Sequence, residues 1–191
     1  TAFLSLSAIA RADVKLPSIF TDHMVLQRGE PVAVWGTAAG GEDVKVSFAD
    51  QAKTTKADKK GNWKVTLDAL KENAKPAELV IAGKNTITIK DVLVGEVWIC
   101  SGQSNMQWTV SASNNADQEI KSANFPAIRM FNIERETAMT PQDDCKGAWF
   151  AANPTTSRPR RRRAPGSRPI RRMWAPSQPS AISLAAIFIR R

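Results

Sequence analysis

The residues from Gly95 to Val110 read GEVWICSGQSNMQWTV, and the character of the chain changes within them. The first half contains an apolar run, Val97 to Cys100, and a polar cluster, Ser101 to Asn105, follows it directly. A continuous apolar run is typical of a strand that is buried on both faces. A polar cluster at the end of such a strand predicts functional side chains at the edge of a parallel sheet.

The preceding residues, 13–92, show a different pattern. Short segments alternate apolar and polar side chains, which is typical of strands with one buried face. Turn signals such as AAGGED and KKGN separate them. The polar segment Gln51 to Asp58 predicts an edge strand. Inward faces are predicted for Val44, Val46 and Phe48, and for Trp63, Val65 and Leu67. Six or seven strands without a helix predict a small antiparallel β-sandwich or jelly roll over residues 13–92.

Residues 93–156 predict the beginning of an α/β domain. After the apolar strand, a helix is expected from Asn114 or Asn115 onward, with Ile120 facing inward. A further strand is expected from Ala127 to Glu134. The order strand, turn, helix, strand is typical of an α/β unit with a right-handed crossover.

The net charge of +9 comes from the end of the chain. Ten arginines lie after residue 156, which leaves 17 basic and 18 acidic side chains in residues 1–156. Residues 157–191 are rich in Arg and Pro and are expected to be disordered. Their composition indicates a shift of reading frame near residues 153–157; the alternative is a basic arm that contacts phosphate or anionic lipid. The tail has no Lys, and its arginines are not interleaved with aromatic side chains, so no nucleic-acid partner is predicted.

Residues 1–12, TAFLSLSAIARA, form a short apolar run that ends in small residues. Ala8 with Ala10, and Ala10 with Ala12, match the Ala-x-Ala pattern of a signal-peptide cleavage site. We interpret the segment as the remnant of a signal peptide, which predicts a secreted or periplasmic protein; an apolar first strand is the alternative. No run approaches the ~18 apolar residues of a membrane span, so no membrane insertion is predicted.

Ser104 is the strongest candidate for chemistry. A serine at the carboxyl end of a buried strand exposes its hydroxyl among converging backbone N–H groups, and this arrangement can supply both a nucleophile and part of an oxyanion hole. Gly102 leaves room for a substrate carbonyl. By pattern alone, Ser104 as the N-cap of a helix remains an alternative.

A family resemblance favours the nucleophile. The segment DVLVGEVWICSGQSNMQW, from Asp91 to Trp108, resembles the sialate O-acetylesterase family, whose catalytic domain is a variant of the SGNH hydrolase fold. Gly102-Gln103-Ser104-Asn105 matches the family's nucleophile motif Gly-Gln-Ser-Asn. The segments LPSIFTDHMVLQRGEPVAVWGTA and GNWKVTLDAL resemble its N-terminal β-domain. The similarity runs in collinear order from about residue 13 to about residue 149.

The resemblance implies a serine hydrolase that removes O-acetyl groups from sialic acid or other acetylated glycans, without a cofactor. Ser104 would be the nucleophile and its own N–H an oxyanion donor. Ser101, Gly102, Gln103 and Asn105 would form the oxyanion site and the pocket around it.

The resemblance also implies that parts of the site are missing. The family's general base is a histidine far downstream of the serine, and its second oxyanion segment, Trp-Gly-Gly-Thr, would follow residue 150. The one histidine here, His23, belongs to the β-domain part of the similarity and is interpreted as a turn or interface residue. The expectation is therefore an incomplete, inactive copy of the enzyme. A non-catalytic glycan-binding or interaction β-sandwich is the alternative.

The remaining candidates have structural interpretations. Cys100 and Cys145 are expected to be buried thiols, although an exported protein could join them in a disulfide. One His and two Cys, far apart in sequence, predict no metal site. Core packing is expected for three tryptophans, Trp35, Trp63 and Trp98.

Overall fold

A computed structural model describes residues 13–102, 105, 108–134 and 138–152 of the chain. This part of the chain is rich in β-structure, as the sequence predicts. Its nine strands are β1 (Val25–Gln27), β2 (Val32–Thr37), β3 (Asp43–Phe48), β4 (Gln51–Lys56), β5 (Asn62–Leu67), β6 (Asn73–Ala82), β7 (Thr86–Gly95), β8 (Phe125–Ile133) and β9 (Gly147–Ala152). A 3₁₀ turn, Val110–Ala112, and one short helix, α1 (Ala116–Ser122), lie between β7 and β8.

Strands β1 to β7 form two sheets that pack face to face. The larger sheet has the strand order β1-β7-β6-β3-β4, and β2 pairs with β5 in the smaller one. Neighbouring strands are antiparallel except β1 and β7, which pair in parallel with Val25 opposite Leu93. The prediction of a wholly antiparallel sandwich is therefore wrong for this pair. A parallel pair needs a long crossover, and here β2 to β6 provide it.

The core between the sheets follows the predicted alternation. The inward residues of β3 and β5 are each at most 4% exposed, namely Val44, Val46, Phe48, Trp63, Val65 and Leu67. Strand β4 is the polar edge of the larger sheet, as predicted. Its lysines, Lys53 and Lys56, hinder edge-to-edge pairing with another chain.

A buried carboxylate connects two turns of the sandwich. Glu42, in the turn before β3, accepts hydrogen bonds from the backbone N–H of Lys84 at 2.6 Å and of Ala39 at 3.1 Å. The Lys84 N–H lowers the pKa of Glu42 most, and the Ala39 N–H and the Lys84 charge add to the effect against the cost of burial. A Cβ atom at Gly83, in the turn between β6 and β7, would approach the Glu42 Oε1 to 2.5 Å, so this turn needs glycine at that position.

Strand β7 contains a β-bulge. The pairs on either side of it, Ala77 with Val92 and Leu79 with Ile89, leave two β7 residues opposite one β6 residue. One of the two is Asp91, whose φ of 55° lies in the left-handed region. Bulges redirect side chains out of the regular alternation, and this one directs the Asp91 carboxylate away from the ladder.

Strands β8 and β9 form a hairpin that shares the core of the sandwich. Phe131 is 1% exposed, and its ring centroid lies 5.3 Å from that of Trp149. The Trp149 Nε1–H donates to the Ile19 carbonyl at 2.7 Å. A second contact comes from the loop before β9, where the Asp144 carboxylate accepts hydrogen bonds from Ser18 N at 2.9 Å and Ser18 Oγ at 3.1 Å.

The buried side chain of Arg129 joins the hairpin to the bulge. Its Nη2 lies 2.9 and 2.8 Å from the two carboxylate oxygens of Asp91, and its Nη1 donates to the Pro126 carbonyl. Arg129 is 6% exposed. A guanidinium at this depth needs a counter-charge, because an unpaired buried charge is strongly destabilising.

Three expectations from the sequence are wrong, two for residues after β7 and one for the tryptophans. Residues 96–100 are not a strand, and Trp98 and Ile99 are 55% and 72% exposed. Ile120 of α1 is 40% exposed rather than inward. Trp63 is a core residue as expected, but Trp35 and Trp98 are not buried. A central strand is buried only when strands flank it and helices cover it, and the described part of the chain supplies one hairpin and one short helix.

Asp91→Asn should lower the free energy of unfolding by about 2 kcal/mol, because Arg129 loses its counter-charge while asparagine tolerates the left-handed backbone. Urea denaturation measures the loss. The control is Asp43→Asn, which breaks the exposed contact with Lys56 at 3.5 Å and should cost less than about 1 kcal/mol. Equal losses in the two variants would contradict the role given to Asp91.

Glu42→Gln should destabilise the protein in a pH-dependent way. The pKa of Glu42 is lowered in the folded state, so its carboxylate stabilises the fold above the ordinary pKa of Glu, about 4.3, and this contribution is lost as the pH falls further. The difference in unfolding free energy between parent and variant should be largest near pH 7 and shrink below about pH 4. Urea denaturation at several pH values measures it. A difference that grows on acidification would show that Glu42 does not act in this way.

Candidate active site

The segment with the predicted nucleophile leaves the sandwich at the end of β7. There the Gln27 side chain holds two successive residues of the departing chain. Its Nε2–H donates to Glu96 Oε2 at 3.2 Å, and its Oε1 accepts the Val97 N–H at 2.9 Å. Gln27 of β1 thereby anchors Glu96 and Val97, which precede the motif in the sequence.

An ion pair reinforces this exit. Arg28 Nε lies 2.7 Å from Glu96 Oε1. The Gln27 side chain lowers the pKa of Glu96 most, and the hydrogen bond and the charge of Arg28 add to the effect. Glu96 is therefore a carboxylate at neutral pH whose oxygens are already engaged, so its role is to anchor the chain.

The structure describes three of the five predicted site residues. Ser101 and Asn105 are exposed, and Gly102 is half-buried. The Asn105 carbonyl accepts the Trp108 N–H at 3.1 Å. Gln103 and Ser104 lie outside the described residues, so the nucleophile and its oxyanion site stay predictions.

His23 lies in a turn before β1, with a φ of 71°. Its Nδ1 is 2.6 Å from Asp91 Oδ2, and its side chain is 52% exposed. Asp91 therefore binds both His23 and Arg129, so the imidazole is oriented by the same carboxylate that holds the hairpin. A carboxylate at Nδ1 fixes the ring and leaves Nε2 available, which is the arrangement of a general base. Among the described residues, the ring is hydrogen-bonded to Asp91 at Nδ1, and no nucleophile is bound at Nε2.

In the described part of the chain, Cys100, Cys145 and Asp144 do not form a second catalytic site. Within the same described ranges, Cys100 and Cys145 are both thiols, as predicted, but each is half-buried rather than buried. Burial raises the pKa of the Cys145 thiol, and the nearby negative charge of Asp144 raises it further. Cys145 is therefore a weak nucleophile at neutral pH. Asp144 is engaged with Ser18 and the Cys145 N–H.

The described ranges contain no cluster of three or more His, Cys, Asp or Glu side chains that could hold a metal ion. Within the same ranges, no helix has both the length and the apolar character needed to cross a lipid bilayer.

Sequence reasoning missed the three side chains that organise this region, namely Gln27, Asp91 and Arg129. For Asp91, the spacing of apolar residues in the sequence already indicates the bulge. Inward residues recur at Ile87 and Ile89 and then at Val92, a gap of three residues that marks one extra residue in the strand. The sequence did not show that a buried arginine from a strand 38 residues away would meet the bulge.

Comparison with known proteins gives a consistent set of relatives. Sialate O-acetylesterase from Mus musculus is 34% identical over 143 residues, which are 68% of this chain and 26% of the relative. Sialate O-acetylesterase from Homo sapiens is 34% identical over 135 residues, which are 62% of this chain and 25% of the relative. No protein-family model matches the chain.

A solved structure of a related protein shares the fold of this chain. The crystal structure of a carbohydrate acetylesterase from Xanthomonas citri matches with a TM-score of 0.72 and 35% identity, over 75% of this chain and 33% of that one. The chain thus spans about a quarter of the length of the curated relatives it matches. Over the part that it shares with these proteins, the chain belongs to the sialate O-acetylesterase family.

Proposed function

We propose that this chain carries the nucleophile segment of a serine esterase that removes acetyl groups from carbohydrates, with sialic acid and other acetylated glycans as the substrate class. The observation that carries the proposal is the motif Gly102-Gln103-Ser104-Asn105 within a segment similar to the sialate O-acetylesterases. The relative from Xanthomonas citri is named a carbohydrate acetylesterase, which supports the same substrate class.

The proposed reaction has two steps. The Ser104 Oγ attacks the acetyl carbonyl, the sugar oxygen leaves with a proton, and an acetyl-enzyme forms. Water then attacks the acetyl-enzyme and releases acetate and the free serine. The Ser104 N–H stabilises the negative charge that develops on the carbonyl oxygen, and Gly102 leaves space for the acetyl group. Ser101, Gln103 and Asn105 contact the substrate around it. No cofactor takes part.

We further propose that the general base comes from outside these 191 residues, in the remainder of an SGNH-like catalytic domain. His23 is the one histidine of the sequence, and its Nδ1 lies 2.6 Å from Asp91 in the sandwich bulge. A serine hydroxyl without a base keeps its proton at neutral pH and is a poor nucleophile. The 191-residue chain alone should therefore be inactive on acetyl esters.

Residues 1–12 support the proposal that the protein is exported, because their apolar run ends in an Ala-x-Ala pattern. The protein recovered from the periplasm or medium should then begin after Ala10 or Ala12, which mass spectrometry of its N-terminal peptide determines. Recovery with Thr1 still attached would overturn this proposal.

The role of Ser104 is tested in a chimera. Residues 13–152 of this chain replace the matching part of the Xanthomonas citri acetylesterase, and hydrolysis of an aryl acetate is measured. The chimera should turn over, and Ser104→Ala should lower its kcat by at least about a thousandfold, because the remaining rate comes from binding and oxyanion contacts alone.

The matched control is Ser122→Ala, at an exposed serine of α1, which should leave kcat within about twofold. Thermal unfolding of both variants should match the parent. If Ser104→Ala retains a tenth or more of the activity while folded, Ser104 is not the nucleophile. If the 191-residue chain by itself turns over at about 1 per second or more, its base lies within the chain and His23 becomes the candidate.

A further inference from the structure

A pocket of about 140 Å³ lies between the sandwich and the β8–β9 hairpin. Its base is the outer face of β2. Val32 and Val34 point into the sandwich core, so the alternating residues Ala33 and Trp35 point the other way, into the pocket. Trp35 is 40% exposed, so the rim of the pocket reaches solvent.

Two aromatic pairs border this pocket. On the sandwich side, the rings of Phe20 and Trp35 meet edge to face with centroids 4.8 Å apart. On the hairpin side, the rings of Phe131 and Trp149 lie 5.3 Å apart at 50°. All four rings belong to the pocket lining, so a ligand inside would contact aromatic surface from both sides.

The lining offers almost no polar group to a ligand. The described side chains that form it are aliphatic, aromatic or thioether, and none is charged. The Trp149 Nε1–H is already bound to the Ile19 carbonyl at 2.7 Å. A charged group or a sugar would therefore lose its hydrogen bonds to water on entry and gain none in return.

The size of the pocket sets the size of its ligand. Engineered enclosed apolar cavities of about 150 Å³ in other proteins bind benzene. This pocket has a similar volume but opens to solvent beside Trp35, so a polar substituent on the ring can stay in water. A ring of six carbons fills a comparable space here. Aromatic rings gain energy from offset and edge-to-face contacts beyond the area that they bury, so four aromatic walls favour an aromatic ring over an alicyclic one.

We propose that this pocket is a binding site for an uncharged, single aromatic ring carried by a small molecule. The site lies on the sandwich and the hairpin, and its lining comes from residues 19, 20, 24–26, 33 and 35 together with Val97, Phe131 and Trp149. The proposal does not depend on Ser104 or on the proposed hydrolysis.

The test is a titration of the ¹⁵N-labelled 191-residue chain with benzyl alcohol, followed through the tryptophan indole N–H resonances. The signals of Trp35 and Trp149 should move and saturate with a single dissociation constant. The signal of Trp63, which lies in the sandwich core and does not line the pocket, should stay in place. Cyclohexylmethanol should bind at least threefold more weakly, and benzoate should cause no saturable shift.

Variants of Ala33, at the base of the pocket, provide a second test of the binding site. Ala33→Leu adds a side chain that fills the pocket, and it should weaken benzyl alcohol binding at least tenfold without lowering the unfolding temperature. Ala33→Val adds less volume and should weaken binding by a smaller factor, so it decides the matter if the leucine variant does not fold. The control is Ala52→Leu, the same change on an exposed position of β4, which should leave binding unchanged.

Several results would overturn the proposal. They are a shift that grows linearly with benzyl alcohol, equal binding of cyclohexylmethanol, and undiminished binding by the folded Ala33 variants. Indole shifts that depend on protein concentration without any alcohol would show that a second copy of the chain fills the pocket. Saturable shifts with a methyl glycoside instead of benzyl alcohol would assign the site to a glycan.

Discussion

The ion pair between Asp91 and Arg129 is the contact on which the arrangement of this chain depends. It brings the β8–β9 hairpin, with the buried rings of Phe131 and Trp149, onto the sandwich. It requires the bulge in β7, because a regular strand would not direct the Asp91 carboxylate toward the hairpin. A buried guanidinium without a counter-charge is strongly destabilising, so hairpin positions that separate Arg129 from Asp91 are disfavoured. The contact therefore specifies the position of the hairpin as well as stabilising it.

The same contact shows how the candidate site is held. Glu96 is held to the sandwich by Gln27 and Arg28, and Arg129 is held to it by Asp91. The two anchored residues, Glu96 and Arg129, lie on either side of the motif in the sequence. Several large apolar side chains between these two residues are exposed, namely Trp98, Ile99, Trp108, Val110 and Phe125. In the described part of the chain no second layer covers them, and their exposure agrees with the proposal that further catalytic-domain structure completes the enzyme.

Sequence reasoning succeeded where one local rule determines the outcome. Alternation predicted the buried faces of β3 and β5, and polarity predicted β4 as the edge. It failed where the structure depends on contacts between residues that are far apart in the sequence. The run Val97 to Cys100 has the composition of a buried strand, but a strand also needs neighbours, and composition does not report whether they are present. The parallel pairing of β1 with β7 and the meeting of Asp91 with Arg129 likewise join residues far apart in sequence. For the site, Ser104 rests on the family similarity, and the geometry around it remains a prediction.

Covalent labelling identifies the nucleophile directly. The chimera with the Xanthomonas citri acetylesterase would be treated with a fluorophosphonate, which labels serine nucleophiles that a base activates. Peptide mass spectrometry would then locate the adduct. We expect the label on Ser104, complete at one equivalent, and no label on the 191-residue chain alone. A stoichiometric adduct on any other residue of the chimera would contradict it.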